Sequence, residues 1–112
     1  MILVNIIDGD PGEVELIGTT TASVGLTATT YEPTSGVHKD MQARAAIVQA
    51  LTAAINITLN GTTPTTIAGG NKGLTMAANT SRVITGINAI RNLKVIEAVA
   101  SSGAIVKVEP WF

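Results

Sequence analysis

The strictest hydrophobic pattern in the chain lies in residues 55–60, where apolar and polar side chains alternate. The isoleucine and leucine side chains fall on one face, and the asparagine and threonine side chains fall on the other. A period of two with β-branched residues is typical of a half-buried β-strand. Asn60 and Gly61 then favour the positive φ angles that end a strand in a turn. The pattern therefore predicts a strand that leads into a polar loop over residues 61–70.

Short runs with β-branched or alternating residues recur along the rest of the chain, separated by glycine, proline, asparagine and serine. They predict strands over residues 1–7, 14–17, 22–31, 72–76, 81–85, 90–98 and 104–109. Pro110 is expected to end the last strand, because proline has no N–H to donate within a sheet. About seven to nine short strands at regular spacing predict an all-β fold, an antiparallel β-sandwich or jelly-roll-like arrangement.

Residues 40–54 carry two patterns at once. Met41, Ala45 and Val48 recur at helical steps, the stretch is rich in alanine, and Asp40 is a suitable N-cap, which favours a short helix. The same residues also alternate between two faces, as a strand would. Periodicity alone favours the helix slightly and leaves the strand open.

The chain has 112 residues, which is enough for one domain with a modest core. We expect residues 13–109 to form the β-sandwich domain. Residues 1–12 are predicted to be an N-terminal arm or edge strand, and residues 110–112 a C-terminal aromatic tail.

Charge and composition narrow the classes of function. Only 13 % of the residues are charged and the net charge is −1, which leaves no basic patch for nucleic acid. No run approaches the ~18 apolar residues of a membrane span, and residues 1–7 lack the basic start of a cleaved signal. Hydrophobic residues nevertheless make up 46 % of the chain. Either copies of the chain or a larger assembly cover part of its surface, or threonine and asparagine keep a monomer in solution.

Candidate chemistry is sparse. The chain has no cysteine and one histidine, His38, which is expected to be a surface residue without a nucleophile beside it. The acidic residues Asp8, Asp10, Glu13 and Glu15 lack the spacing of a calcium loop and predict a plain acidic turn. The remaining carboxylates are expected to be solvated. We therefore predict no catalytic residue, no cofactor and no metal site, and a protein that is not an enzyme.

The two ends of the chain are the candidate interface. Met1, Ile2 and Leu3 are apolar, and Trp111 and Phe112 are large aromatics of the type that anchors protein interfaces. These five residues are predicted to contact a neighbouring subunit. The alternative for the aromatic pair is that it folds back and caps its own sandwich.

Several short motifs follow one another from residue 42 to residue 112. They are Ala-Arg-Ala at 43–45, Asn-Gly-Thr-Thr-Pro-Thr at 60–65, Ile-Arg-Asn-Leu-Lys-Val-Ile at 90–96, and Ser-Gly at 102–103. In this order they resemble a widespread type of small phage structural protein, of the head decoration or cement kind. Residues 24–28 also resemble the first strand of that group. The motifs are short and structural, and no active site comes with them.

The resemblance implies a β-sandwich component of a virion and favours a strand within residues 40–54. It also implies a function. We expect a non-enzymatic protein that decorates or cements a phage capsid as a homo-oligomer, most simply a trimer, with the major capsid protein or other virion proteins as partners. A tail, neck or fibre-base component is the first alternative, and a carbohydrate-binding module is the second. Nucleic acid and membrane are not expected as partners.

Overall fold

The computed structural model describes residues 9–19 and 22–112. Within these residues, eight strands and two short helices follow in the order β1 (Glu15–Gly18), β2 (Val24–Gly25), α1 (Ala28–Tyr31), β3 (Ala45–Ala50), β4 (Ile55–Thr58), β5 (Leu74–Met76), β6 (Ser81–Thr85), α2 (Ile87–Arg91), β7 (Lys94–Glu97) and β8 (Ile105–Trp111). The strands form two four-stranded antiparallel sheets, with the orders β1-β8-β3-β6 and β2-β7-β4-β5. The predicted all-β sandwich is confirmed. The predicted strand over residues 1–7 lies outside the described residues.

A single hydrophobic core lies between the two sheets. Alternate side chains of the strands point into it, as the two-residue period of a strand requires. The first sheet contributes Ile17, Ala46, Val48, Ala50, Ile84, Val106 and Val108, and the second contributes Ile55, Ile57, Met76 and Val95. Full burial of one valine or isoleucine side chain contributes about 1.5–3 kcal/mol, so this layer is the main source of stability.

Residues 40–54 contain a strand, and the helical alternative is wrong. β3 lies in the middle of the first sheet, paired with β6 on one side and β8 on the other. Asp40 has a φ angle of 64°, so it occupies a left-handed turn and not a helix N-cap. Two neighbouring strands satisfy the main-chain groups of β3, and this tertiary pairing outweighs the helical propensity of alanine.

The predicted strand over residues 22–31 is only partly correct. β2 has two residues, and the chain then turns into the single helical turn of α1. The carboxylate of Glu15 accepts hydrogen bonds from the main-chain N–H and the hydroxyl of Thr27 and from the hydroxyl of Thr30. These bonds bring residues 27 and 30 to one carboxylate, which a helical turn allows and an extended strand does not.

The predicted strand over residues 90–98 begins later than expected. Its first residues belong to α2, and β7 starts at Lys94. Gly86 precedes the helix with a φ angle of 92°. Ile90, in the helix, is fully buried and belongs to the hydrophobic core. Arg91 forms an ion pair with Glu32 at 2.8 Å. The hydrogen bond to Glu32 raises the pKa of Arg91 above its ordinary value.

Pro110 does not end the last strand, which was the prediction. β8 continues through it to Trp111. Between the pairs Pro11–Trp111 and Glu15–Val108, three residues on the N-terminal side oppose two residues of β8, which defines a β-bulge. The carbonyl of Pro110 accepts from the N–H of Gly12, so the nitrogen of Pro110 also faces this bulge. A missing N–H is tolerated there because the ladder is already interrupted.

Candidate functional site

The two sheets differ in what covers their outer faces. In the second sheet, Asn56 and Thr58 point away from the core, and the alternating pattern predicted that they are exposed. Both are buried, and Asn56 has no exposed surface at all. Residues 59–73, here called the covering loop, fold over this face. The prediction of a half-buried strand is therefore wrong for β4.

Hydrogen bonds from Asn56 hold the covering loop in place. Its amide nitrogen donates to the carbonyl of Thr65 at 2.7 Å and to the side-chain oxygen of Asn71 at 3.3 Å. Its amide oxygen accepts from the hydroxyl of Thr75 at 2.6 Å. Pro64 belongs to the same loop and is fully buried. The second sheet is thus closed by the protein's own chain on the side away from the core.

The first sheet has no such cover in the described part of the chain. Its outer face, named from here on the outer face, carries the side chains that alternate with the core residues. Directly paired positions along β1, β8, β3 and β6 place the following apolar side chains there: Leu16, Ile47, Val83, Ile105 and Trp111. Leu16 is 63 % exposed, Val83 39 % and Ile105 36 %. Large apolar side chains brought together on one exposed face are typical of an interaction surface.

Few charges interrupt the outer face. Lys107 and Glu109 lie on it through alternation along β8, and both are half-buried. Oε1 of Glu109 accepts a hydrogen bond of 2.8 Å from the indole N–H of Trp111. Trp111 is paired directly with Ala45, which is only 5 % exposed although it lies on this face. The hydrogen bond to Glu109 therefore holds the indole on the outer face.

A groove of about 610 Å³ runs beside β1. Residues 13–16 form one wall, and α1 together with residues 33–38 forms the other. Val14 is 45 % exposed, Leu16 63 % and Val37 94 %. The groove therefore presents apolar side chains beside threonine and serine hydroxyls.

The two aromatic residues at the end of the chain have different environments. Met1, Ile2 and Leu3 lie outside the described residues. Trp111 lies on the outer face, whereas Phe112 is 4 % exposed and belongs to the hydrophobic core. Within the aromatic pair, Phe112 thus follows the alternative of capping its own sandwich.

The single histidine is partly exposed and makes an aromatic contact that the prediction of a surface residue did not include. His38 is half-buried, and its ring stacks on Phe112 with a centroid distance of 4.5 Å and an interplanar angle of 15°. Nothing in the local sequence indicates this contact, because 74 positions separate the two residues. The stack joins residues 33–38 to the last residue of the sheet.

The prediction that the remaining carboxylates are solvated is wrong for Glu97. This residue is 2 % exposed, and its carboxylate accepts hydrogen bonds from the main-chain N–H groups of Ser101 and Gly103 at 2.9 and 3.3 Å. The hydroxyl of Ser102 is within 3.5 Å of the same carboxylate. These bonds hold the connection between β7 and β8, so Glu97 has a structural position.

The described acidic residues near the start of the chain, Asp10, Glu13 and Glu15, form no metal-binding group. Asp8 lies outside the described residues, and Glu15 is occupied by Thr27 and Thr30. Among the residues that the structure describes, no three His, Cys, Asp or Glu side chains are grouped closely enough to hold a metal ion. Neither helix of the described chain is long or apolar enough to cross a membrane.

The outer face and the groove are therefore the two surfaces whose composition indicates binding. In comparisons of the whole chain with known proteins, no family model, no curated protein and no solved structure matches.

Proposed function

We propose that this protein is a non-enzymatic structural subunit of a phage virion that decorates or cements the capsid as a homo-oligomer, most simply a trimer. The observation that carries the proposal is the apolar outer face of the β1-β8-β3-β6 sheet, beside a second sheet that its own loop covers. The motifs at residues 43–45, 60–65, 90–96 and 102–103 support a virion role through their resemblance to small phage structural proteins.

The shape and composition of the domain suit a mechanical function. The described chain measures 41 × 35 × 22 Å, so it has broad faces relative to its thickness. An apolar sheet face can bury a large area against a neighbouring protein without the rearrangement that a flexible loop requires. Symmetric packing of several copies would add avidity, so that each contact with the capsid can be weak.

Two other functions are weaker on these observations. A tail, neck or fibre-base component would use the same kind of face in few copies per particle. A carbohydrate-binding module needs aromatic rings exposed to stack on sugars. The three aromatic residues of the chain are Tyr31, Trp111 and Phe112, and all three are half-buried or buried. A glycan array without hits would exclude the carbohydrate-binding function.

The first test is the number of copies in a purified particle, measured by quantitative mass spectrometry against the major capsid protein. Hundreds of copies are expected for capsid decoration. About a dozen or fewer would place the protein in the neck, tail or a fibre instead. Absence from the particle would overturn the virion role altogether.

The second test examines the outer face directly, with a matched pair of valine substitutions. Val83 lies on the outer face and is 39 % exposed, and Val99 lies away from it and is 59 % exposed. Val83→Asp is expected to abolish the homo-oligomer and to prevent binding to particles that lack the protein, because it places a charge in an apolar contact. Val99→Asp should leave both unchanged. Light scattering and particle co-sedimentation measure the two effects. Equal behaviour of the two variants would show that the outer face is not the docking surface.

A further inference from the structure

We propose that the groove beside β1 binds an extended peptide segment of a partner protein, which pairs with β1 as an additional strand of the first sheet. The segment would carry apolar side chains that alternate with lysine or with neutral polar residues. This inference deepens the proposed function by naming how a partner is held. It rests on that function only for the identity of the partner, since the peptide site itself is defined by the domain.

The main chain of β1 provides the first argument. β1 is the end strand of the first sheet, paired only with β8 within the described chain. The N–H of Thr19 donates to the carbonyl of Ala104, and alternate residues of an antiparallel strand face the same neighbour. Residues 15, 17 and 19 therefore face β8, and the N–H and C=O groups of Leu16 and Gly18 point to the open side. These groups are oriented to pair with an added strand.

The surroundings of this edge provide the second argument. The groove of about 610 Å³ follows residues 13–16, so an extended chain paired with β1 would lie within it. Val14 and Leu16 are exposed along one wall, and Val37, which is 94 % exposed, lies on the other. A methyl group at Gly18 would meet nothing within 4 Å, so the outer face beside the end of this strand is also open. Alternating apolar side chains of a bound strand would cover these exposed residues.

The charges of the groove select the occupant. Among the described residues that line it, Glu13 and Glu15 carry carboxylates, and there is no lysine or arginine. Glu15 accepts hydrogen bonds from the hydroxyls of Thr27 and Thr30, whereas Glu13 is exposed. An acidic peptide would place like charges together, and a peptide with lysine would place opposite charges together. The site therefore favours a neutral or basic strand.

The test is a titration of the isotope-labelled full chain with a short peptide, followed by amide chemical shifts. The probe is a blocked heptapeptide of alternating valine and lysine. We expect saturable shifts centred on the amides of Leu16, Gly18 and Val37. A peptide with glutamate in place of lysine should bind at least about tenfold more weakly, which is ~1.4 kcal/mol. The lysine peptide with alternate main-chain nitrogens methylated should lose binding, because it cannot form the ladder.

Two single proline substitutions, one in each edge strand of the first sheet, distinguish strand addition from nonspecific peptide binding. Leu16→Pro removes an N–H that points to the open side of β1, and proline is tolerated there in an edge strand. Ser81→Pro removes an outward N–H from the first residue of β6, which is the opposite edge of the same sheet. Only Leu16→Pro should abolish peptide binding, with both variants retaining dispersed spectra. If Leu16→Pro fails to fold, the methylated peptide still decides the question.

The proposal is overturned by any of three results. These are the absence of shifts along residues 13–18 at millimolar peptide, equal binding of the methylated peptide, and unchanged binding to Leu16→Pro. None of these results bears on the number of copies in a particle. Conversely, absence from the particle would overturn the virion role and leave the peptide site in place.

Discussion

The side-chain amide of Asn56 donates a hydrogen bond of 2.7 Å to the main-chain carbonyl of Thr65. This bond joins the middle of β4 to the covering loop. Asn56 points away from the core, and the bond explains why a polar residue on that face is nevertheless fully buried. Hydrogen bonds of Asn56 thus hold the covering loop over one sheet of the sandwich. The outer face of the other sheet is left as the broad apolar surface.

Asn56→Ala is expected to lower the free energy of unfolding by about 1–3 kcal/mol, because it removes the hydrogen bonds that the fully buried Asn56 side chain makes to the carbonyl of Thr65 and the hydroxyl of Thr75. Urea unfolding followed by tryptophan fluorescence measures the change. Asn88→Ala is the matched control, since Asn88 is exposed, and should change the free energy by less than about 0.5 kcal/mol. Equal effects of the two substitutions would show that the hydrogen bonds of Asn56 do not stabilise the covering loop.

Glu97→Gln is expected to destabilise the protein by about 1–3 kcal/mol. Glutamine offers one oxygen where the carboxylate accepts from both Ser101 and Gly103, and the bonds to a charged acceptor are the stronger ones. Hydrogen exchange should accelerate at the amides of residues 101 and 103 in particular. Glu13→Gln, at an exposed position, should alter neither stability nor exchange. Unchanged exchange in Glu97→Gln would show that its carboxylate does not hold this connection.

The sequence predicted the existence of most strands but not what covers them. Alternation in residues 55–58 located β4 correctly, because the period of two depends only on local geometry. It failed for the burial of Asn56, because the covering loop that buries this residue comes from residues 59–73. Periodicity indicates which residues share a face of the strand. It cannot indicate whether another part of the chain covers that face.

The candidate surfaces follow the same division. Trp111 was identified from its size as an interface residue, and it lies on the outer face. The outer face itself combines residues from four strands, and the register between strands far apart in sequence decides its members. The stack of His38 on Phe112 depends on the same long-range register. Each strand could be predicted locally, whereas the surfaces assembled from them could not.

Two glycines with positive φ angles allow the cost of backbone strain to be distinguished from the cost of a steric clash. Gly73 has a φ angle of +110°, and a methyl group added there would stand 2.9 Å from the carbonyl oxygen of Ile57. Gly36 has a φ angle of +85° and open space around that position. Gly36→Ala should cost about 1 kcal/mol through backbone strain alone. Gly73→Ala should cost about 2–4 kcal/mol, because β4 and β5 must also separate. Thermal unfolding of both variants measures the difference, and equal costs would exclude the collision.

Gly12 is expected to be essential for the close approach of the N-terminal segment to Phe112. A methyl group at Gly12 would lie 2.5 Å from Cε1 of the Phe112 ring and 3.2 Å from Cγ of Pro110. Gly12→Ala should therefore cost about 1–3 kcal/mol through displacement of the ring. It should also shift the resonances of the His38 ring stacked on Phe112. Gly18→Ala, where the methyl group meets nothing within 4 Å, should do neither. A stable Gly12→Ala protein with unchanged His38 resonances would contradict this packing.

Substitutions of the two terminal aromatic residues should affect different properties: Phe112 the stability of the fold, and Trp111 the self-association. Phe112 is 4 % exposed and belongs to the core, so Phe112→Ala is expected to lower the free energy of unfolding by about 3–4 kcal/mol. Trp111 is half-buried on the outer face, so Trp111→Ala should cost less than about 2 kcal/mol and should weaken the proposed homo-oligomer instead. Denaturant unfolding followed by circular dichroism gives the first quantity, because Trp111 is the only tryptophan of the chain. Light scattering over a range of concentrations gives the second. If Trp111→Ala unfolds the protein, or leaves self-association unchanged while Val83→Asp abolishes it, the indole is part of the fold and not an anchor of the interface.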